Sequence, residues 1–86
     1  MNVILAVFRS RTQTRIFAEA MREHGAVCSV IQTPPEARIG CGISARFYST
    51  DKPRAERVIR QYRLTSFNGF YETMRITGRT TVRKIR

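Results

Sequence analysis

Acidic side chains are the first scarcity: 6 Asp and Glu stand against 16 Lys and Arg in 86 residues, a formal charge of +10. That balance favours anionic partners. Lysine is scarce as well, with only Lys52 and Lys84, so nearly all the positive charge is arginine, the cation of planar, bidentate phosphate and carboxylate recognition. With one histidine, two separated cysteines and few carboxylates, the chain offers no preorganised zinc or iron set, and it has no CxxC. Paired carboxylates, a nucleophile-His-acid set, GxxxxGK and GxGxxG are all missing. Two cysteines are too few for a disulfide scaffold, so the free thiol is the default state of Cys28 and Cys41. No apolar run approaches the roughly 18 residues of a membrane span. The apolar start, residues 3–8, follows Met1 without a basic n-region or a small-residue cleavage site. The expectation is a cytoplasmic protein without a membrane partner. What is there, 42% hydrophobic residues, suffices for one modest core.

Residues 2–8 (NVILAVF) are apolar and rich in β-branched side chains, which predicts a central strand covered on both faces. Ser10 can cap a following helix whose stripe is Ile16, Phe17, Ala20, Met21 and His24, with Gly25 closing it. A second strand is expected at residues 27–31, stopped by Thr33-Pro34-Pro35. A third, at residues 43–48, alternates: Ile43, Ala45 and Phe47 to a packed face, Ser44, Arg46 and Tyr48 to a wet one. Thr50 or Asp51 caps a second helix with Ala55, Val58, Ile59 and Tyr62 as its stripe, and residues 69–75 form a fourth strand. The order β-α-β-β-α-β, with right-handed crossovers, predicts an α+β ferredoxin-like fold: a four-stranded antiparallel sheet with two helices on one face. We place that domain at residues 1–75. Residues 76–86 (ITGRTTVRKIR) have no acid and form a basic tail or an added edge strand.

The unusual chemistry is concentrated in residues 33–42 (TPPEARIGCG). Gly40 and Gly42 strip side-chain cover from Cys41 and permit backbone angles that turn N–H groups toward its sulfur. Those groups, with Arg38 and Arg46 if they fold over the loop, would favour the thiolate, the reactive form. The plain alternative is a turn whose middle residue happens to be cysteine. Ser10-Arg11-Thr12, Phe17-Ala18-Glu19, Thr33-Pro34, Gly40-Cys41-Gly42 and Arg46-Phe47 together resemble the small bacterial family of selenium/sulfur carrier-like proteins, over a span from Val3 to about Glu72. The resemblance implies that Cys41 carries sulfur or selenium as a persulfide or selenide, that Thr33 and Pro34 belong to the binding loop, and that donor and acceptor proteins are the partners. It implies a carrier without turnover of its own, and no cofactor beyond the covalent chalcogen.

Cys28 lies within a strand and reads as an ordinary small core residue, although it could resolve an oxidised Cys41 if the loop folds over it. His24 suits a helix end, and Glu36 a solvated loop, with a local base near Cys41 as the alternative. Arg54, Arg57, Arg60 and Arg63 recur every third residue on the second helix and could follow a phosphate backbone. An open sheet face bearing Arg46 and Tyr48 is where RNA-recognition modules stack bases, but their basic-Gly-aromatic-Gly/Ala-aromatic pattern does not occur. The competing function is therefore a basic nucleic-acid-binding or protein-interaction module in which Cys41 is incidental. An edge strand also offers a route to a homodimer.

Overall fold

The computed structural model describes residues 2–34 and 40–85. In chain order these form β1 (Val3–Phe8), α1 (Arg11–Glu23), β2 (Cys28–Gln32), β3 (Ile43–Tyr48), a single 3₁₀ turn (Ser49–Asp51), α2 (Lys52–Gln61), β4 (Phe67–Ile76) and β5 (Arg79–Lys84). The sheet order is β2-β3-β1-β4-β5, and every neighbouring pair is antiparallel. β1 is central, with Ile4 through Phe8 all buried, as its unbroken apolar run requires. The first four strands interleave two split βαβ units, but the sheet has five strands where four were expected. The fifth comes from the basic terminal stretch. Thr77 and Gly78, both at positive φ, make a two-residue turn that lays Arg79 opposite Ile76.

Ser10 caps α1 as its hydroxyl suggests, accepting from the Gln13 N–H at 3.1 Å, and Gly25 follows the helix at φ +87. The buried stripe, however, is Thr14, Phe17, Ala18, Ala20 and Met21. Ile16 and His24, expected on it, are exposed, because the stripe is rotated to place Thr14 inside. α2 begins with Pro53 in its first turn, and Asp51 occupies the cap position without a side-chain bond to the backbone. Its carboxylate instead meets Arg54 at 3.5 Å. Ala55 and Val58 are buried and Ile59 half-buried, while Tyr62 at the end of the stripe is exposed.

The helices cover one sheet face. Ile4, Ala6 and Phe8 of β1 meet Phe17, Ala18 and Met21 of α1 and Ala55 and Val58 of α2 there. All five phenylalanines join in a closed ring: Phe8 to Phe17, Phe17 to Phe47, Phe47 to Phe70, Phe70 to Phe67 and Phe67 back to Phe8, at centroid separations of 4.7–5.9 Å. Tilted and edge-on pairs at such distances add about 0.5–1.5 kcal/mol each beyond area burial. A bulge allows the last link. Val7 opposes Gly69 but Phe8 opposes Phe67, so Asn68 is passed over and both rings turn to the helix side.

The other face is not simply wet. Leu5, Val7 and Tyr71 form a second buried cluster there, with Ile31 and Val82 against it. Ser44, expected to face water, is fully buried, while Arg46 and Tyr48 are half-buried. The reason is local: the Thr33 hydroxyl closes on the Ser44 hydroxyl at 2.6 Å, and Gly40 comes down on Val7.

Candidate functional site

The site is assembled where β1 hands over to α1. Past Phe8, the Arg9 N–H donates to the Ser66 carbonyl at 2.9 Å, which ties the chain to the approach of β4. The Ser66 N–H and hydroxyl both donate to Gln13 Oε1, at 2.9 and 2.7 Å, and the Ser10 N–H donates to Ser66 Oγ at 3.3 Å. These bonds join the first turn of α1 to β4. Thr14, buried at the next position, donates its hydroxyl proton to the Ser10 carbonyl at 2.9 Å.

Onto this turn the loop delivers Cys41. Its N–H donates to the Phe8 carbonyl at 3.3 Å, and its own carbonyl accepts from the Arg11 guanidinium at 3.4 Å. The loop is clasped at its base, where the Thr33 N–H donates to the Gly42 carbonyl at 2.9 Å. Cys41 is half-buried, its sulfur 3.8 Å from Thr14 Oγ1 and 3.7 Å from the Ile43 carbonyl. The thiol donates to the Ile43 carbonyl, and in its contact with the Thr14 hydroxyl either group can be the donor. The start of a helix adds a partial positive charge beside the sulfur.

Gly40 and Gly42 are required for different reasons. Gly40 has φ +83, and a Cβ there would lie 2.6 Å from the Phe8 carbonyl oxygen and 2.8 Å from Val7 Cγ1. Gly42 has φ +94 with nothing beyond its chain neighbours within 4 Å of a Cβ, so its need is conformational.

Of the residues singled out in the sequence, Cys41, Gly40, Gly42 and Thr33 come together here, and half-buried Pro34 follows Thr33. Arg38 and Glu36 lie outside the described residues. Arg46 sits within β3, opposite Leu5 and Ser29, with its guanidinium 5.6 Å from the Tyr48 ring centroid. The arginine that reaches Cys41 is Arg11. Thr14, Gln13 and Ser66 were not singled out at all. The one legible sign of Thr14 was a polar residue three before Phe17, on the buried face; the bond from Ser66 to Gln13 joins residues 53 apart and leaves no local trace.

Cys28 belongs to the helix-side core, where burial pushes its thiol up to about 11, against a lowering by Arg22 and a small further rise from Asp51. It opposes Phe47, whereas the Cys41 end of the hairpin is marked by Gln32 opposite Ile43, four pairs away. That is about 13 Å of strand, so the two thiols stand at opposite ends of the hairpin. On α2, Arg54 pairs with Asp51 while Arg57 and Arg60 are exposed; Arg63, expected to continue the series on this helix, lies beyond its end at φ 52 and is exposed. No helix among the described residues is long and apolar enough to cross a membrane.

A family model described as "Putative Se/S carrier protein-like" matches residues 4–72. The chain belongs to this Se/S carrier-like family. No curated protein and no solved structure matches it. The matched span runs from β1 into β4 and contains every residue of the Cys41 site, while β5 lies beyond it. Membership of an Se/S carrier-like family also implies exchange with sulfur- or selenium-handling partner proteins.

Proposed function

We propose that Cys41 is the carrying atom's seat: a thiol that accepts sulfur or selenium from a donor protein, holds it as a persulfide or selenide, and yields it to an acceptor. The observation that carries this reading is a half-buried cysteine on a loop pinned by backbone bonds at Cys41 and Gly42, beside the start of α1. For sulfur, the Cys41 thiolate attacks the outer sulfur of a donor persulfide. A new S–S bond forms on Cys41, the donor's S–S bond breaks, and the donor cysteine leaves as thiolate. Transfer to an acceptor thiolate is the same exchange in reverse, so no net oxidation occurs and no external electron carrier is needed. Thr14 touches the sulfur and Arg11 holds the Cys41 carbonyl, so both fix the loop around the thiol. Cys28, buried and with its thiol pushed up to about 11, does not compete for the cargo. In this reading the chain is a carrier without turnover of its own, working in the cytoplasm, and one thiol serves either chalcogen.

The test is loading by a low-molecular-weight persulfide followed by intact mass and peptide mapping. A single added sulfur on Cys41, lost in Cys41→Ala and kept in Cys28→Ala, is the expected result. Labelling of both cysteines alike, or of neither, sinks the proposal. The competing module, with Cys41 incidental, draws on exposed Arg57, Arg60 and Arg63. It predicts that Arg57→Glu with Arg60→Glu abolishes salt-sensitive polyanion binding, whether nucleic acid or heparin, while Cys41→Ala leaves it intact.

A further inference from the structure

Away from the Cys41 site, the described surface carries an open cleft. Of about 230 Å³, it lies between α2 and β4, lined by Glu56, Ile59, Arg60, Phe67 and Phe70. Its apolar floor is Ile59, Phe67 and Phe70, and exposed Arg60 stands at its rim. The Glu56 carboxylate meets Lys52 at 3.5 Å, which offsets its charge. Arg57, three residues before Arg60 on α2, is exposed as well, so the helix surface near Arg60 is basic. One lining residue, Phe67, lies toward the Cys41 site: it follows Ser66, which is bonded to Gln13, one residue before the threonine that contacts the sulfur.

We infer that this cleft is a docking site for an acidic segment of the protein that exchanges sulfur or selenium with Cys41, anchored by one aliphatic side chain. The inference rests on the carrier reading and names the kind of partner surface it needs. Size favours a side chain, because small-molecule pockets occupy about 300–1,000 Å³ and this cleft is smaller. Charge favours carboxylates, which arginine grips in a planar fork. Stacked nucleobases fit less well. Phe70 is buried with Lys52 Nζ 5.5 Å from its ring centroid, and half-buried Phe67 lies against it at 4.7 Å between centroids, so the floor offers no fully exposed ring to stack on. A phosphate chain held by the arginines alone would leave the apolar floor unfilled.

Titration of the ¹⁵N-labelled protein at low salt tests this, with acetyl-Glu-Glu-Leu-Glu-Glu-amide, the same peptide with serine for leucine, and hexauridylate as probes. The leucine peptide is expected to give saturable amide shifts at Ile59, Arg60, Phe67 and Phe70, with affinity at least tenfold lower for the serine peptide and for Arg60→Glu. Shifts confined to other surfaces, equal binding of both peptides, or tighter binding of hexauridylate at the cleft each overturn the inference, the last in favour of nucleic acid. Chemical persulfide loading of Cys41 in Arg60→Glu, expected at the wild-type level, keeps the two ideas apart. Failure to load in wild type defeats the carrier reading, while the peptide titration still reports on the cleft.

Discussion

Gly40 and Gly42 flank the same cysteine, yet substitution should separate them. At Gly40 an alanine meets both a left-handed backbone angle and a main-chain oxygen at 2.6 Å that cannot swing away, so Gly40→Ala is expected to cost about 2 kcal/mol or more. At Gly42 only the backbone angle opposes the change, and about 1 kcal/mol is expected. Urea denaturation of the two variants checks the order; equal losses would mean that the contact over β1 is not formed. The buried thiol gives a second residue-level expectation. Folded Cys28 keeps its proton to about 11, whereas the unfolded thiol releases it near the ordinary 9.0. Between those values the unfolded state binds fewer protons, so unfolding becomes easier as pH rises. The stability difference between wild type and Cys28→Ala should therefore be constant below pH 9 and shrink toward pH 11. A difference that stays flat across that window would show the thiol to be solvated.

Among the elements, legibility followed locality. β1, β3 and the two helices could be read because each carries its own pattern: an unbroken apolar run, an alternation, or a capped amphipathic stripe. Ser10 and Gly25 were readable for the same reason, since a cap acts within one turn. The α1 stripe was misplaced because it was drawn without Thr14, a polar residue that is buried. Only its bond to the Ser10 carbonyl and its contact with a sulfur 27 residues away make its burial affordable. Ser44, also polar, was assigned to water, and it is buried because Thr33 supplies its partner. β5 is the added edge strand that was one of the two alternatives for the terminal stretch, and the sign that decides between them is short. Thr77-Gly78 makes the two-residue turn usually written Asn-Gly or Asp-Gly, and the strand after it has only Val82 as an inward-facing apolar residue. Cys41 itself was legible because Gly-Cys-Gly is a local exception. Its surroundings were not, since Arg11, Thr14, Gln13 and Ser66 reach the site through contacts between elements.

For the whole molecule, the terminal strand decides how much of the sheet is closed. β5 lies outside the matched span, yet it pairs with β4 from Arg79 opposite Ile76 to Lys84 opposite Tyr71. Val82 packs on the Leu5, Val7 and Tyr71 cluster, Ile85 packs on the helix-side core and its N–H donates to the Phe70 carbonyl at 2.9 Å, and Arg83 reaches Glu72 at 3.0 Å. The ion pair contributes little, because Arg83 is 76% exposed. The apolar contacts matter more: two partly buried aliphatic side chains are worth about 2 kcal/mol or more together. Removing residues 77–86 would also bare the β4 edge, a row of unpaired N–H and C=O groups ready for another strand. It takes away Arg79, Arg83, Lys84 and Arg86, four of the cations whose mutual repulsion under a charge of +10 keeps copies apart. Stability and solubility should therefore fall together, with earlier unfolding in urea and a shift to dimers or larger species in size-exclusion chromatography that high salt promotes. A truncated chain that stays monomeric with an unchanged urea midpoint would reduce β5 to an appendage; the expected outcome makes it the cover that keeps β4 from pairing with another chain.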